Sequence, residues 1–81
     1  MSLNSVVIEI REINNPKKVI ADKQISAFYS DNEKENCAMQ LIDDFTTLQY
    51  KDCYAVEREV LRYKQNGQSV LGKNAIKKYF F

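Results

Sequence analysis

Residues 30–48, SDNEKENCAMQLIDDFTTL, form the segment that decides the fold. Ser30 and Glu33 have the Ser-x-x-Glu spacing of a capping box, in which the hydroxyl and the glutamate each accept a backbone N–H at the helix start. The apolar residues that follow share one face at the spacing i, i+3, i+4, i+7, i+10: Ala38, Leu41, Ile42, Phe45 and Leu48. The segment therefore predicts one amphipathic helix over residues 31–48.

The residues before this helix have the pattern of a β-hairpin. Apolar and charged side chains alternate in the first strand, with Val6, Ile8 and Ile10 on one face and Glu9 and Arg11 on the other. Residues 14–18, Asn-Asn-Pro-Lys-Lys, predict the turn. Residues 19–29 are extended in character, but their apolar side chains fall on both faces of the predicted strand. This pattern indicates a bulge or a strand covered on both faces at its ends. The first strand is accordingly predicted to be half-buried.

The last third of the chain leaves two alternatives open. Val56, Val60 and Tyr63 fit helical spacing, and Gly67 would then be the residue that follows the helix. Asn66-Gly67 is also the dipeptide that supplies two positive φ angles in a type I′ hairpin turn. The hairpin is favoured because two more strands give the helix a four-stranded platform to cover.

These elements predict a single α+β domain, residues 1–81, with the order ββαββ. One amphipathic helix packs on a four-stranded, mainly antiparallel sheet, and residues 75–80 form either a short helical turn or a further strand. The predicted core comprises Val6, Ile8, Ile10, Ile25, Leu41, Ile42, Phe45, Val56 and Val60. If the ring of Phe45 is fully buried, Phe45→Ala should cost roughly 3–5 kcal/mol.

The composition excludes several classes of site and protein. The 81 residues include no histidine and only two cysteines, so no Ser-His-Asp or Cys-His mechanism and no four-ligand zinc site is expected. No cofactor motif occurs, because Gly67 and Gly72 are too isolated for a phosphate-binding loop. The chain has no apolar run of membrane-spanning length and opens without a basic region ahead of an apolar one, which predicts a cytoplasmic protein without a signal peptide.

Three candidates for catalysis have better structural interpretations. Cys37 flanks the apolar face of the helix among acidic residues, and Cys53 has cations nearby, but both are interpreted as packing residues. Glu57 and Glu59 share a strand face at a separation that two-carboxylate catalysis uses. A chain of this size suggests no cleft around them, so a solvated strand face is the preferred interpretation. The protein is predicted not to be an enzyme.

The basic C-terminal third is the one segment whose residues suggest a binding function. Residues 31–57 hold seven acids and two bases, whereas residues 58–81 hold six bases and one acid. Cations bind phosphates and aromatic rings stack on unpaired bases, so this segment suits single-stranded nucleic acid. The candidate contact residues for nucleic acid or a partner are Arg58, Arg62, Tyr63, Lys64, Lys73, Lys77, Lys78, Tyr79 and Phe80.

Two functions from different classes follow from these residues. The favoured one is a small non-enzymatic protein-interaction or accessory module that docks on another protein or on a second copy, most simply as a two-fold homodimer. A chain this short buries only about 60–65% of its unfolded surface, so a partner would add needed area. The alternative is a nucleic-acid-binding accessory protein that uses the basic, aromatic third.

Overall fold

The computed structural model describes residues 4–81 and has the predicted α+β class and ββαββ order. The expectation that the chain opens without a signal peptide rests partly on residues 1–3, which lie outside the described residues. A single-turn 3₁₀ helix, Tyr50–Asp52, precedes the third strand. The strands and the helix are β1 Ser5–Glu12, β2 Asn15–Ser26, α1 Asp31–Phe45, β3 Cys53–Tyr63, β4 Ser69–Leu71 and β5 Lys77–Phe80.

The sheet is antiparallel and has the strand order β2-β1-β3-β4, with β5 also paired to β3. Strands β4 and β5 lie on the same side of β3, one beside each of its ends, and together act as a fourth strand interrupted at residues 72–76. The interruption stays anchored, because Gly72 and Ile76 donate their N–H groups to Glu59 and Glu57 of β3. The residues 77–80 that the sequence left open between helix and strand are therefore strand.

The capping box that the sequence predicts is present at the start of α1. The N–H of Glu33 donates to Ser30 Oγ at 3.2 Å, and the N–H of Ser30 donates to Glu33 Oε1 at 3.3 Å. The helix ends at Phe45, so the predicted extension to residue 48 is wrong. Thr46 is extended, and its hydroxyl accepts from the N–H of Leu48, an alternative to helical bonding that threonine readily offers.

One face of the sheet packs against α1 and forms the main core. The buried residues of this core are Val6, Ile8, Ile10, Ile25, Ala38, Leu41, Ile42, Cys53, Ala55 and Tyr79. Phe45 was placed in the core by its helical spacing, but its side chain is 66% exposed. The predicted burial of Phe45 is therefore wrong. The helix stops at this residue, and its ring lies beyond the part of the sheet that α1 covers.

The second face of the sheet is also covered, although no helix lies on it. Val7, Val56 and Val60 are buried there, so β1 is buried on both faces rather than half-buried. The sheet curls toward this face, which brings β2 close to the β3–β4 hairpin. Gln24 of β2 accepts a hydrogen bond from Ser69 Oγ at 3.1 Å and donates one to the hydroxyl of Tyr63. In a flat sheet β2 and β4 would be about 14 Å apart, since strands lie about 4.8 Å from their neighbours.

Both hairpin turns differ in detail from the sequence prediction. Glu12 pairs with Asn15, so the first turn is Ile13 and Asn14, and residues 15–18 belong to β2 rather than to the turn. The predicted irregularity in β2 is confirmed as a register shift, since Ile10 pairs with residue 21 and Arg11 with residue 19.

The second hairpin does turn at Asn66-Gly67, but not as type I′. Gly67 has φ +85°, whereas no described residue other than glycine has a positive φ. Its N–H donates to Lys64 O at 2.9 Å, and the N–H of Lys64 donates to Gln68 O at 2.8 Å. This is a three-residue loop in which a type I turn is followed by a glycine in the left-handed region.

Among residues 4–81 no helix has both the length and the hydrophobicity that a membrane crossing requires. Helix α1 spans 15 residues and carries charged residues along its exposed side.

Exposure at the end of α1 predicts very different costs for two neighbouring truncations. Ile42 is 1% exposed, so Ile42→Ala should lower the free energy of unfolding by about 2–5 kcal/mol. Phe45→Ala should cost less than about 1 kcal/mol, because its ring is already in solvent. Urea unfolding of both variants measures the difference, and equal losses would contradict the helix end described here.

Candidate functional site

The nine residues that the sequence proposed as contacts are not brought together on one surface. In β5, Lys77 and Tyr79 lie on the face that packs against α1, since they pair with Glu57 and Ala55. Lys78 and Phe80 lie on the opposite face because side chains alternate along a strand. Arg62, Tyr63 and Lys64 are exposed at the β3–β4 hairpin, and Lys73 is exposed in the interruption between β4 and β5.

Several of these residues are already bound within the fold. Arg58 donates from Nε and Nη2 to Gly72 O at 3.1 and 2.6 Å, which holds the interruption of the fourth strand against β3. Lys77 Nζ lies 2.7 Å from Asp31 Oδ2, and this ion pair lowers the pKa of the Asp31 carboxyl. Lys77 also lies 5.0 Å above the ring of Tyr79. Tyr79 is buried, so its ring has no free face for a nucleobase.

A buried polar cluster joins the helix to the sheet at Glu57. Lys34 Nζ of α1 lies 2.9 Å from Glu57 Oε2, and the hydroxyl of Tyr79 donates to Glu57 Oε1 at 2.8 Å. Burial and this hydrogen bond to a carboxylate raise the pKa of Tyr79 above its ordinary value. The interpretation of Glu57 as part of a solvated strand face is wrong, because it is 3% exposed.

A second buried carboxylate lies on the opposite face of the sheet. Glu9 Oε1 is 2.9 Å from Arg11 Nη2 and 3.5 Å from Arg58 Nη1. Arg11 Nη1 also donates to Pro16 O at 2.6 Å, which ties the start of β2 to this cluster. The Glu9 carboxylate is thus paired with two guanidinium groups, and that of Arg58 links β1 to β3 on this face.

The two thiols are packing groups. Cys53 is buried in the main core, and Cys37 is partly buried against it; both are free cysteines. Burial raises the pKa of each thiol, which opposes formation of the reactive thiolate. Within residues 4–81 no group of three or more His, Cys, Asp or Glu side chains is arranged to hold a metal ion.

The outer edge of β2 is the longest regular strand edge that the described residues leave unpaired. The N–H of Ala27 donates to Asn4 O, which identifies residues 4 and 27 as a hydrogen-bonded pair of the antiparallel ladder. Because such pairs alternate, Asp22, Gln24 and Ser26 direct their N–H and C=O groups away from β1 and toward the open edge. Ser26 O already accepts the N–H of Tyr29 at 3.3 Å. The other five of these six groups have no backbone partner within residues 4–81 and can accept another strand.

A groove of about 970 Å³ runs between this edge and α1. Its floor contains Ile25, Leu41 and Cys37, and its ends carry the partly exposed rings of Tyr29 and Phe45. The groove is lined by Ser5, Asp22, Lys23, Gln24, Ile25, Ser26, Tyr29, Glu33, Asn36, Cys37, Gln40, Leu41, Asp44 and Phe45. The unpaired edge of β2 and the apolar floor of the groove therefore lie side by side.

The sequence prediction did not include this groove among its candidate contacts. Its residues come mainly from β2 and from the acidic helix α1, whereas the predicted contacts are the cations and aromatic residues of the last third of the chain. A usable signal was present in residues 21–26, the half of β2 that keeps regular alternation and contains no proline or adjacent lysine pair.

Comparison of this chain with protein-family models, with curated proteins and with solved structures finds no match.

The buried ion pair predicts a large effect from removing one charge. Glu57→Gln should lower the free energy of unfolding by about 3–5 kcal/mol, because it leaves the Lys34 ammonium buried without a counter-charge. Adding Lys34→Met to this variant should recover part of the loss, since the glutamine oxygen can still accept from Tyr79. Urea unfolding of the single and double variants tests this, and a double variant less stable than the single one would contradict it.

The raised pKa of Tyr79 predicts a loss of stability in alkaline solution. The unfolded chain releases this proton near the ordinary tyrosine pKa of 10.0, whereas the folded chain keeps it. Stability should therefore be retained below pH 10 and fall above it, by about 1.4 kcal/mol per pH unit from this group. Between pH 10 and 11, Tyr79→Phe should lose about 1 kcal/mol less stability than the native protein in urea unfolding, because half of the unfolded chains have already released this proton at pH 10. An equal loss in both proteins would contradict the assignment.

Proposed function

We propose that this protein is a non-enzymatic protein-interaction module that binds an extended segment of another protein by strand addition to the outer edge of β2. The observation that carries the proposal is the outward-facing backbone of Asp22, Gln24 and Ser26 beside the groove under α1. In strand addition the main-chain hydrogen bonds supply affinity, and pockets for alternate side chains supply specificity. The outward backbone of Asp22, Gln24 and Ser26 suits the first requirement, and the groove between β2 and α1 suits the second.

The two halves of β2 suit different roles. The first half carries Pro16, Lys17 and Lys18 and a register shift near residue 20, which are the devices that protect a strand edge from pairing. The second half, residues 21–26, keeps a regular register with β1 from Ser5 to Ile10. This contrast supports a docking segment confined to residues 21–26.

The opposite edge of the sheet is a poorer docking surface. Strand β4 has three residues and β5 has four, with residues 72–76 between them, so neither offers a continuous ladder. Lys78 lies on β5, where a charged side chain disfavours edge pairing. The β2 edge is therefore the preferred site.

The proposal favours a foreign segment over a second copy as the added strand. In a two-fold β2–β2 pairing of residues 21–26, Lys23 of one copy lies opposite or diagonal to Lys23 of the other, and like charges in those positions are destabilising. Homodimerisation remains part of the proposal as the less favoured mode. The cytoplasm is the proposed compartment because both thiols are free.

Nucleic-acid binding is the alternative function, and the geometry favours it less. Lys77 and Lys78 lie on opposite faces of the sheet, and Lys77 and Arg58 are already bound to acceptors in the fold. A polyanion would therefore meet separated cations instead of one basic groove.

Blocking one outward N–H tests strand addition. A displayed library of random twelve-residue peptides is selected on the native protein, and the enriched peptides are assayed on Asp22→Pro and Asp22→Ala. We expect binding to the alanine variant to be near native and binding to the proline variant to fall at least tenfold, because proline removes a donor that the fold itself does not use.

Circular dichroism and urea unfolding establish that both variants are folded. No enriched peptide, or enriched peptides that bind the proline variant as well as the alanine variant, would contradict the proposal. Sedimentation of the native protein at tens of micromolar decides between a second copy and a foreign segment. Salt-sensitive binding of a single-stranded oligonucleotide, weakened by Ala at Lys73, Lys77 and Lys78, would support the alternative function.

A further inference from the structure

Four charged residues line the groove. The side chain of Asp22 lies on the face of the sheet opposite to α1, since it pairs with Glu9, whereas the other three face the space where an added strand would lie. Lys23 is on the helix-facing side of β2, since it pairs with Ile8 of the main core. Its positive charge partly offsets the rise that burial causes in the pKa of the Cys37 thiol of α1. Glu33 and Asp44 belong to the α1 wall of the same groove. None of these three takes part in an ion pair within residues 4–81, so their charges are not neutralised by the fold.

The order of these charges along the groove follows from the chain path. Helix α1 runs back along β2, so Glu33 in its first turn lies toward Ile25, and Asp44 in its last turn lies toward Ala21. Asp44 also lines a second groove with Lys18 and Ile20 of β2, which places it at the Ala21 end of residues 21–25. Along the groove the charges are therefore negative, positive and negative.

The distance between Glu33 and Asp44 along α1 is close to the length of residues 21–25 along β2. Eleven residues of α1 separate Glu33 from Asp44, which is about 16 Å at about 1.5 Å per residue. Four residues of an antiparallel strand span about 14 Å at about 3.4 Å per residue. A strand lying against residues 21–25 therefore has one helix-facing position level with each of the three charges.

We propose that the segment bound by this groove carries the helix-facing pattern cation–x–anion–x–cation. The anion lies opposite Lys23, and the two cations face Glu33 and Asp44 of α1. The pattern reads the same in both chain directions, so it fits a parallel or an antiparallel added strand. This inference rests on the proposed strand-addition site and names the chemistry of its partner.

Apolar parts of the long cationic side chains also suit the groove. The methylene stems of arginine or lysine can lie along Ile25 and Leu41 while the charged ends reach the acids above them. The rings of Tyr29 and Phe45 at the two ends of the groove lie where flat guanidinium groups can stack. Arginine is therefore expected at the two outer positions.

Two peptides of identical composition test the pattern. The first is acetyl-Thr-Arg-Val-Glu-Val-Arg-Thr-amide, and its matched control, acetyl-Thr-Arg-Val-Arg-Val-Glu-Thr-amide, moves the anion to an end. Titration into ¹⁵N-labelled protein should shift the amides of Asp22, Gln24 and Ser26. The first peptide should bind about tenfold more tightly, since each exposed ion pair changes an equilibrium constant by about two- to fivefold and the control misplaces two of the three charges.

A protein variant supplies the reciprocal test. In Glu33→Gln with Asp44→Asn the glutamine keeps the capping box and the asparagine keeps an acceptor for Gln40, so α1 is retained. The preference between the two peptides should then fall to less than about threefold. Retention of the full preference would overturn the assignment of these two acids.

The outcomes separate this inference from the proposed function. Equal affinity of the two peptides for the native protein overturns the charge pattern and leaves strand addition standing. If neither peptide shifts the β2 amides, the charge pattern is overturned, and the library selection on Asp22→Pro decides whether strand addition falls with it.

Discussion

The rest of the structure depends on one constraint: within residues 4–81, a single α-helix is available to cover a sheet that has apolar residues on both faces. A helix is about 10 Å in diameter, whereas four strands are about 14 Å wide, so α1 covers part of one face and none of the other. The second face holds Val7, Val56 and Val60, which require burial all the same. The chain solves this by curling the sheet until β2 and β4 meet through Gln24 and Ser69.

The same shortage of cover explains the two buried carboxylates. Glu57 and Glu9 lie on neighbouring strands and on opposite faces of the sheet, and each is matched by cations with long stems. Lys34 reaches down from α1 on one face, and Arg11 and Arg58 lie across the other. Long charged side chains bury apolar surface with their methylenes. These side chains thus cover surface that a second helical layer would otherwise bury. Removing one partner of such a pair leaves the other as a buried, unpaired charge.

How far the sequence predicts this fold depends on whether a feature is local. The capping box of Ser30 and Glu33 and the alternation of Val6, Ile8 and Ile10 are short-range patterns, and both are confirmed. The burial of Glu57 depends on Lys34, 23 residues away, and no local pattern contains that information. The exposure of Phe45 depends on where the helix ends, which is the least predictable property of a helix.

The candidate site was harder to predict because closeness in sequence differs from closeness on a surface. Adjacent residues of a strand point to opposite faces, so Lys77 and Lys78 separate as soon as residues 77–80 are strand instead of helix. The turn at Asn66-Gly67 shows a similar limit, since asparagine can adopt positive φ but does so only where the hairpin length requires it.

Incomplete cover also leaves the groove open. Helix α1 lies mainly over β1 and β2, where it shields Ile8 and Ile10, and the groove separates it from the outer edge of β2. Complete cover of that edge would need a second helix or a further strand, and residues 4–81 supply neither. A partner strand would pair the backbone of residues 22–26 and could cover the exposed rings of Tyr29 and Phe45. We propose this edge as the binding site because an added strand would satisfy hydrogen-bond groups and cover apolar surface together.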